Sequence, residues 1–402
     1  MGRTPPLRRG RETGRSRRVP GGTGHPQCRG KRKGPTFRAG PLVVPLALLV
    51  LLFDPGFPDG FINFLEAGHY LANVNGIFEG KIPFKDFFVL FGPLQVYAIS
   101  GMMILLGKSV ASLKLFFYLN YLLSFLAVWF LSRRVLRRRV AACLATWVCL
   151  VEVSHPFWAA NWDFGRMGLG MAGLLVLLTF ARERDRRWFF AAGVLSSLTL
   201  FYTLDVGLLL IFASLSLGAA LLLEREGPRG GAKVGAVARL LSLYLGGGLV
   251  VAVPFLGFLA YSGGLQPYLE VSFYVLPFHH LETWGQAVPS VVEAARNAPG
   301  LRAFVGSEAF RVFLPLPLYA LLGGYLLWTL IRRRWDREIS FLVPLFVYGV
   351  LAYRNSFRSI LGPQFQVALP PLILLVFLFL ERGLDSVLSR EDLRSPRFRA
   401  GR

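Results

Sequence analysis

The chain has 402 residues, of which 54% are apolar and 17% charged, and its mean hydropathy is +0.50. A water-soluble domain of this length rarely exceeds half apolar, because it must also cover itself with polar surface. The net charge of +22 would suit a nucleic-acid partner, but about half of the excess lies in residues 1–38 and the rest in short loops between apolar runs, which is the loop bias of a membrane protein and sets nucleic acid aside.

Residues 1–38 hold twelve Lys or Arg against the single acid Glu12, with many Gly and Pro and no apolar period. A disordered basic cytoplasmic tail is expected there, either able to touch anionic lipid headgroups or without a role of its own. The multi-span domain then covers 39–382, and a second basic tail 383–402. The run from Pro41 to Phe53 ends at Asp54-Pro55-Gly56 without a small-residue cleavage site, so it reads as an uncleaved first helix.

Further apolar runs fall near 88–107, 112–132, 140–154, 165–181, 189–203, 204–223, 238–261, 309–331, 338–352 and 361–380. They lack polar–apolar alternation, which rules out barrel strands, and suit helices crossing a hydrocarbon core of about 30 Å. The predicted fold class is therefore all-α, a polytopic membrane protein with about ten or eleven transmembrane helices. Basic clusters at Arg133–Arg139, Arg182–Arg187, Glu224–Arg239 and Arg332–Arg337 mark the cytoplasmic side. The outer segments are then 54–87, 155–164, the turn near Thr203–Asp205, 262–308 and 353–360. Two runs lie between the outer segment 54–87 and the inner Arg133, so one of them, 88–107 with Gly92-Pro93 and Gly101, is expected to be only partly embedded. Ten spans with both ends inside follow.

The first outer segment carries the chemistry. Asp59 is placed to cap a helix over about 61–79, with Gly80 just past its end. Asn63, Glu66, His69, Tyr70 and Asn73 then share one face at spacings of three and four. Phe61, Phe64, Leu65, Leu71 and Ala72 lie opposite, toward the membrane interface. A carboxylate and an imidazole shown to a cavity can take a proton from a hydroxyl or steady a phosphate; an ordinary Glu–His pair on a solvated face has the same spacing.

Farther along, Asp163 and Arg166 sit at the mouth of a helix, where charge must be paired or useful. Asp205 stands at a turn between two apolar runs. Tyr353, Arg354 and Arg358 lie outside against the positive-inside bias, and a lipid-linked phosphate would explain arginines there. His279, His280 and Glu282 form a His-His-x-Glu group with no evident fourth metal ligand, better suited to an acceptor-contacting loop. Cys28, Cys143 and Cys149 have no disulfide or zinc spacing. No internal repeat with matched broken helices is present, which disfavours a carrier.

The segment Glu66-Ala-Gly-His-Tyr-Leu, then Gly80-Lys-Ile-Pro-Phe-Lys-Asp-Phe-Phe, then Gly92-Pro-Leu-Gln-Val-Tyr resembles the first outer loop of the polytopic GT-C glycosyltransferases, relatives of protein O-mannosyltransferases and lipid A aminoarabinose transferases. The resemblance covers roughly residues 54–107. It implies a multi-pass enzyme of the inner (plasma) membrane, active on the periplasmic or extracellular face, that moves a sugar from a polyprenyl-phosphate donor to a lipid or protein acceptor. It assigns the base or metal-ligand role to Glu66; Asp59 or Asp54 is the candidate second carboxylate, and His69 shares the face of Glu66. Any divalent metal ion would fall to Glu66 and Asp59. Lys85, Asp86, Arg166, Arg354 and Arg358 become candidates for substrate binding, with Lys85, Arg354 and Arg358 the cations for the donor phosphate. The family's second acidic position is Ala67 here, and its lysine before the proline is Gly92. The competing readings are a transporter or flippase, with cavities meeting near the midplane, and a non-catalytic relative that keeps the fold.

Overall fold

The structure, a computed structural model, describes residues 66–153, 163–225, 231–275, 290–356 and 363–394. The described residues are helical, with a single isolated bridge, Pro83–Phe87, in the turn after the first helix. In chain order the helices are α1 (Glu66–Phe78), α2 (Pro93–Leu106), α3 (Val110–Val135), α4 (Arg139–Val153), α5 (Gly165–Glu183), α6 (Arg186–Tyr202), α7 (Leu204–Leu223) and α8 (Gly231–Ser262). After short helical turns between 265 and 313 come α9 (Pro315–Ile331), α10 (Arg337–Ser356) and α11 (Pro363–Arg394).

Among the described residues seven helices are long and apolar enough to cross a membrane: α3, α5, α7, α8, α9 with the turn before it, α10 and α11. The chain is an all-α polytopic membrane protein. By length alone, α2, α4 and α6 fall short of that standard, and the first expected span, 41–53, lies outside the described residues. The shortfall has local causes. Asp185 caps the start of α6 by accepting from the Arg187 amide, and α4 starts only after the Arg137 and Arg138 amides have been taken by the Glu381 carboxylate.

The helices from α3 to α11 build one large core, with α8 joining through Val237 and Tyr244 and α9 through Tyr319, Leu322 and Leu326. The α6–α8 crossing is close because Gly193 and Gly247 face backbone carbonyls: a Cβ on either would come within 2.0–2.2 Å of Tyr244 or Phe190 oxygen. Small residues at such contacts let membrane helices approach for dispersion contact.

A second core joins α1, α2 and the first half of α3 to Phe201, Leu259 and Tyr268. Its placement sets the run of α2. Gln95 at the start of α2 and Asn120 in α3 meet at the same residue, Asp163. Asn120 is fourteen residues before the basic end of α3 at Arg134 and ten after its start at Val110. At 1.5 Å per residue, α3 therefore extends about 15 Å past Asp163, away from the basic end. Only three residues join α2 to α3, so α2 runs from the Asp163 level toward that same end of α3, beside its first half.

Gly92 fastens this hairpin to the bundle. Its amide donates to the Tyr202 carbonyl at 3.0 Å, and a Cβ there would lie 1.9 Å from Phe201 oxygen. The relatives' lysine has no room at this position. Gly92→Ala is expected to destabilise the protein by about 3 kcal/mol, the upper end for overpacking, read as a lowered melting temperature in detergent; an unchanged melt would contradict the contact.

Candidate functional site

The α1 helix ends where the sequence places its end, with Gly80 in the left-handed region (φ +80). The expected residues 61–65, with Asn63 and the cap Asp59, lie outside the described residues, and Glu66 is described by its backbone only. The division of faces differs from expectation. Ala67, Tyr70, Asn73 and Val74 are buried, while Leu71 is half-buried and Ala72 exposed. The helix packs on α2 and α3 through a mixed face, because Tyr70 stacks on Phe91 (6.2 Å) and meets Phe117 edge-on (5.0 Å). Asn73 donates to His69 Nε2 at 3.1 Å, and burial pushes the imidazole pKa down, so its neutral form is favoured.

The direction of α1 is set by its two ends. Phe78, at its C-terminus, lies under the ammonium of Lys108 in the α2–α3 turn (3.9 Å). Tyr70, near the other end, stacks on Phe91, and the guanidinium of Arg166 lies over the opposite partner, 4.5 Å from the Phe91 centroid. The N-terminus of α1, where Glu66 stands one turn before Tyr70, is thus the end nearest Arg166.

Around Arg166 a buried carboxylate, Asp163, and a partly buried one, Asp205, organise the helix ends. Asp163 is fully buried. Its Oδ1 accepts from Asn120 Nδ2 and the Gly165 amide, both at 2.8 Å. Its Oδ2 accepts from Gln95 Nε2 at 2.6 Å and from the Tyr202 hydroxyl. Four donors fill the four acceptor sites of the carboxylate. Asp205 is filled likewise: Oδ1 accepts from Thr203 Oγ1 (2.5 Å) and the Val206 amide (2.9 Å), Oδ2 from Arg166 Nη2 (2.5 Å) and Asn355 Nδ2 (2.9 Å). Arg166 Nε also donates to Thr203 Oγ1 at 3.1 Å.

The sequence left Asp163 and Arg166 open to pairing with each other; the structure partners them elsewhere, Arg166 with Asp205 and Asp163 with neutral donors. Asp205 is no plain turn residue. Gln95, Asn120, Tyr202, Thr203 and Asn355 were missed, and the available signal was amide and hydroxyl side chains inside or just beside apolar runs. Beside Arg166, Asp205, Tyr348 and Asn355 a cavity of about 20 Å³ remains, room for one water.

The other candidates are spread around this cluster. Arg354 is exposed beside Asn355. Tyr353 is buried and donates to the Val312 carbonyl at 2.6 Å, a packing contact. Lys85 is exposed and its ammonium donates to the Ser262 carbonyl at 3.2 Å, at the end of α8. The Asp86 carboxylate accepts from the Ile82 amide at 2.7 Å and closes the turn after α1. Arg358, Asp59, His279, His280 and Glu282 lie outside the described residues. Among the described residues no three potential metal ligands gather.

No protein-family model and no curated protein sequence matches the chain. Solved structures do. ArnT from Cupriavidus metallidurans in the apo state superposes with a TM-score of 0.54 at 18% identity, over 86% of this chain and 60% of that one. The same protein bound to undecaprenyl phosphate gives 0.52 at 16% identity, over 87% and 60%. The Archaeoglobus fulgidus oligosaccharyltransferase in complex with Zn and sulfate gives 0.53 at 15% identity, over 88% and 50%. Both proteins are GT-C glycosyltransferases.

The chain has the GT-C-type fold. It spans 60% or less of the length of these proteins, and the GT-C likeness concerns its helical membrane part.

Within that fold the Arg166–Asp205 pair is a buried ion pair whose partners cannot be separated cheaply. Removing one member leaves an uncompensated buried charge, at a cost of roughly 3–5 kcal/mol. Asp205→Ala is expected to lose that much stability in denaturant or thermal unfolding, whereas Arg354→Gln, at an exposed position, is expected to change it by less than about 0.5 kcal/mol; equal effects would remove the pair from the account.

Proposed function

We propose that this chain is a membrane glycosyltransferase that moves a sugar from a polyprenyl-phosphate donor to a lipid or protein acceptor on the outer face of the membrane. The observation that carries the reading is the run of α1: the helix bearing Glu66 has its N-terminus as the end nearer Arg166, linked to it through Tyr70 and Phe91, at the end of the bundle opposite the arginine clusters, in a GT-C-type fold. ArnT bound to undecaprenyl phosphate supports a donor of that chemical class.

In the proposed reaction the Glu66 carboxylate takes the proton of the acceptor hydroxyl. The acceptor oxygen attacks the anomeric carbon, the bond from that carbon to the donor phosphate oxygen breaks with inversion, and the lipid phosphate leaves carrying the negative charge. Arg354 and Arg358, with Lys85, are the proposed partners of that phosphate, since fixed cations help most where charge develops in a low-dielectric site. Arg166 is assigned a positioning role instead, because its guanidinium is already committed to Asp205 and Thr203. Asp163 and Asp205 do not fit a metal ion, their oxygens being filled by protein donors. A divalent ion at Glu66 and Asp59 remains a proposal for metal titration, and no step is routed through it. The outer location of the active face and the inner (plasma) membrane are likewise proposed, from the arginine bias.

The test is transfer of label from polyprenyl-phosphate sugars in membranes containing the protein. Glu66→Gln is expected to lower transfer at least about a hundredfold, the lower bound for a general base, while the protein extracts and melts like wild type. Full transfer by that variant would remove Glu66 from the mechanism.

A further inference from the structure

At the basic end of the bundle, the ends of α3, α5, α10 and α11 enclose a cavity of about 300 Å³ that opens to the surface. It lies sixteen residues along α5 from Arg166 to Arg182, roughly 24 Å at helical rise, so it is separate from the Asp163 cluster. Five arginines line it: Arg134, Arg137, Arg182, Arg337 and Arg382. Three acids share the lining, and each is already engaged. Glu381 is buried and accepts from the amides of Arg137 (2.9 Å) and Arg138 (2.5 Å) at the start of α4. Asp385 pairs with Arg138. Glu338 is shared between Arg137 (3.0 Å) and Arg382 (3.3 Å).

Arg134 has its own partner in Glu183 at 2.6 Å. Arg182 and Arg337 differ. Arg182 Nη1 donates to the Arg134 carbonyl at 3.0 Å, and Arg337 donates to the Ala181 and Arg182 carbonyls. Among the described residues neither has a carboxylate within ion-pair distance. A guanidinium has five N–H donors, and these contacts use one of Arg182's and two of Arg337's. The carbonyl contacts hold both side chains in place while leaving donors and two uncompensated positive charges.

The rest of the wall is apolar, from Val135, Ala181, Phe341 and Leu378. A cavity lined by five guanidinium groups, three engaged carboxylates and a hydrocarbon wall, toward the ends of membrane-length helices, matches an amphiphile at the headgroup level better than a fully soluble anion. Basic pockets between membrane helices on the cytoplasmic side bind lipid headgroups in this way. We propose that this cavity is a binding site for the phosphodiester headgroup of an acidic phospholipid, gripped by Arg182 and Arg337.

The test is native mass spectrometry of the detergent-purified full chain titrated with phosphatidylglycerol or with phosphatidylcholine of the same acyl chains. Phosphatidylglycerol is expected to bind the wild type more tightly. Arg182→Gln with Arg337→Gln is expected to weaken that binding by roughly 25-fold, about fivefold for each arginine near an anionic headgroup. The exposed pair Arg332→Gln with Arg333→Gln carries the same charge change at the same end and is expected to leave it unchanged. Equal binding of the two lipids by the wild type, which needs no variant to fold, would overturn the proposal. So would an equal loss in the Arg332/Arg333 pair, which would make the effect one of net charge. Displacement of phosphatidylglycerol by millimolar inorganic phosphate would overturn it too, by making the cavity a site for free phosphate.

Discussion

A single buried carboxylate ties together the half of this molecule that lies away from the arginine clusters. Asp163 accepts from Gln95 on α2, Asn120 on α3, Tyr202 at the end of α6 and the first amide of α5. An isolated charge in an apolar interior would cost far more than the whole stability of a domain, and hydrogen bonds to a charged acceptor return roughly 1.5–3 kcal/mol each. The carboxylate is therefore tolerable only with its donors in place, which makes the arrangement of four helix segments close to all-or-none. Asp205 repeats the device one turn of chain beyond Tyr202, where Thr203 accepts from Arg166 and donates to Asp205.

The placement of α1 follows from that junction. Gln95 anchors the start of α2, Gly92 docks the preceding loop on Phe201 and Tyr202, and the ring of Phe91 is left between Tyr70 and Arg166. The helix that carries Glu66 has no deep core of its own. It is held against the α2–α3 hairpin by aromatic contacts and takes its direction from them. The same helices that organise this junction end at the arginine cavity on the other side, so α5 and α10 carry distinct polar chemistry at each end with an apolar middle.

Much of the helical layout was legible in the sequence because apolar runs and arginine clusters report directly on burial in lipid. The conflict of sidedness around 88–107 was legible too, since parity of crossings needs no side-chain detail, whereas the run of α2 away from the basic end of α3 depends on Asn120, deep within an apolar run. The cluster itself was not legible. Asp163 and Gln95 are 68 residues apart, and Arg166 and Asp205 are 39 apart; no spacing rule connects them. The charged members stood out as costly residues at helix mouths, but their partners are neutral amides and hydroxyls that composition treats as filler. The absent lysine at Gly92 looked like a lost phosphate contact in sequence. In three dimensions it is a steric requirement of the α2–α6 contact.

The most direct test of this account is the distance between spin labels at Asn75 on α1 and Phe212 on α7, both exposed, in a background lacking Cys28, Cys143 and Cys149. Pulsed electron resonance is predicted to give one narrow distribution for Asp163 and a broad one for Asp163→Ala, with helical content unchanged by circular dichroism. A distribution equally narrow in both proteins would contradict the claim that this carboxylate holds the Glu66 helix in place.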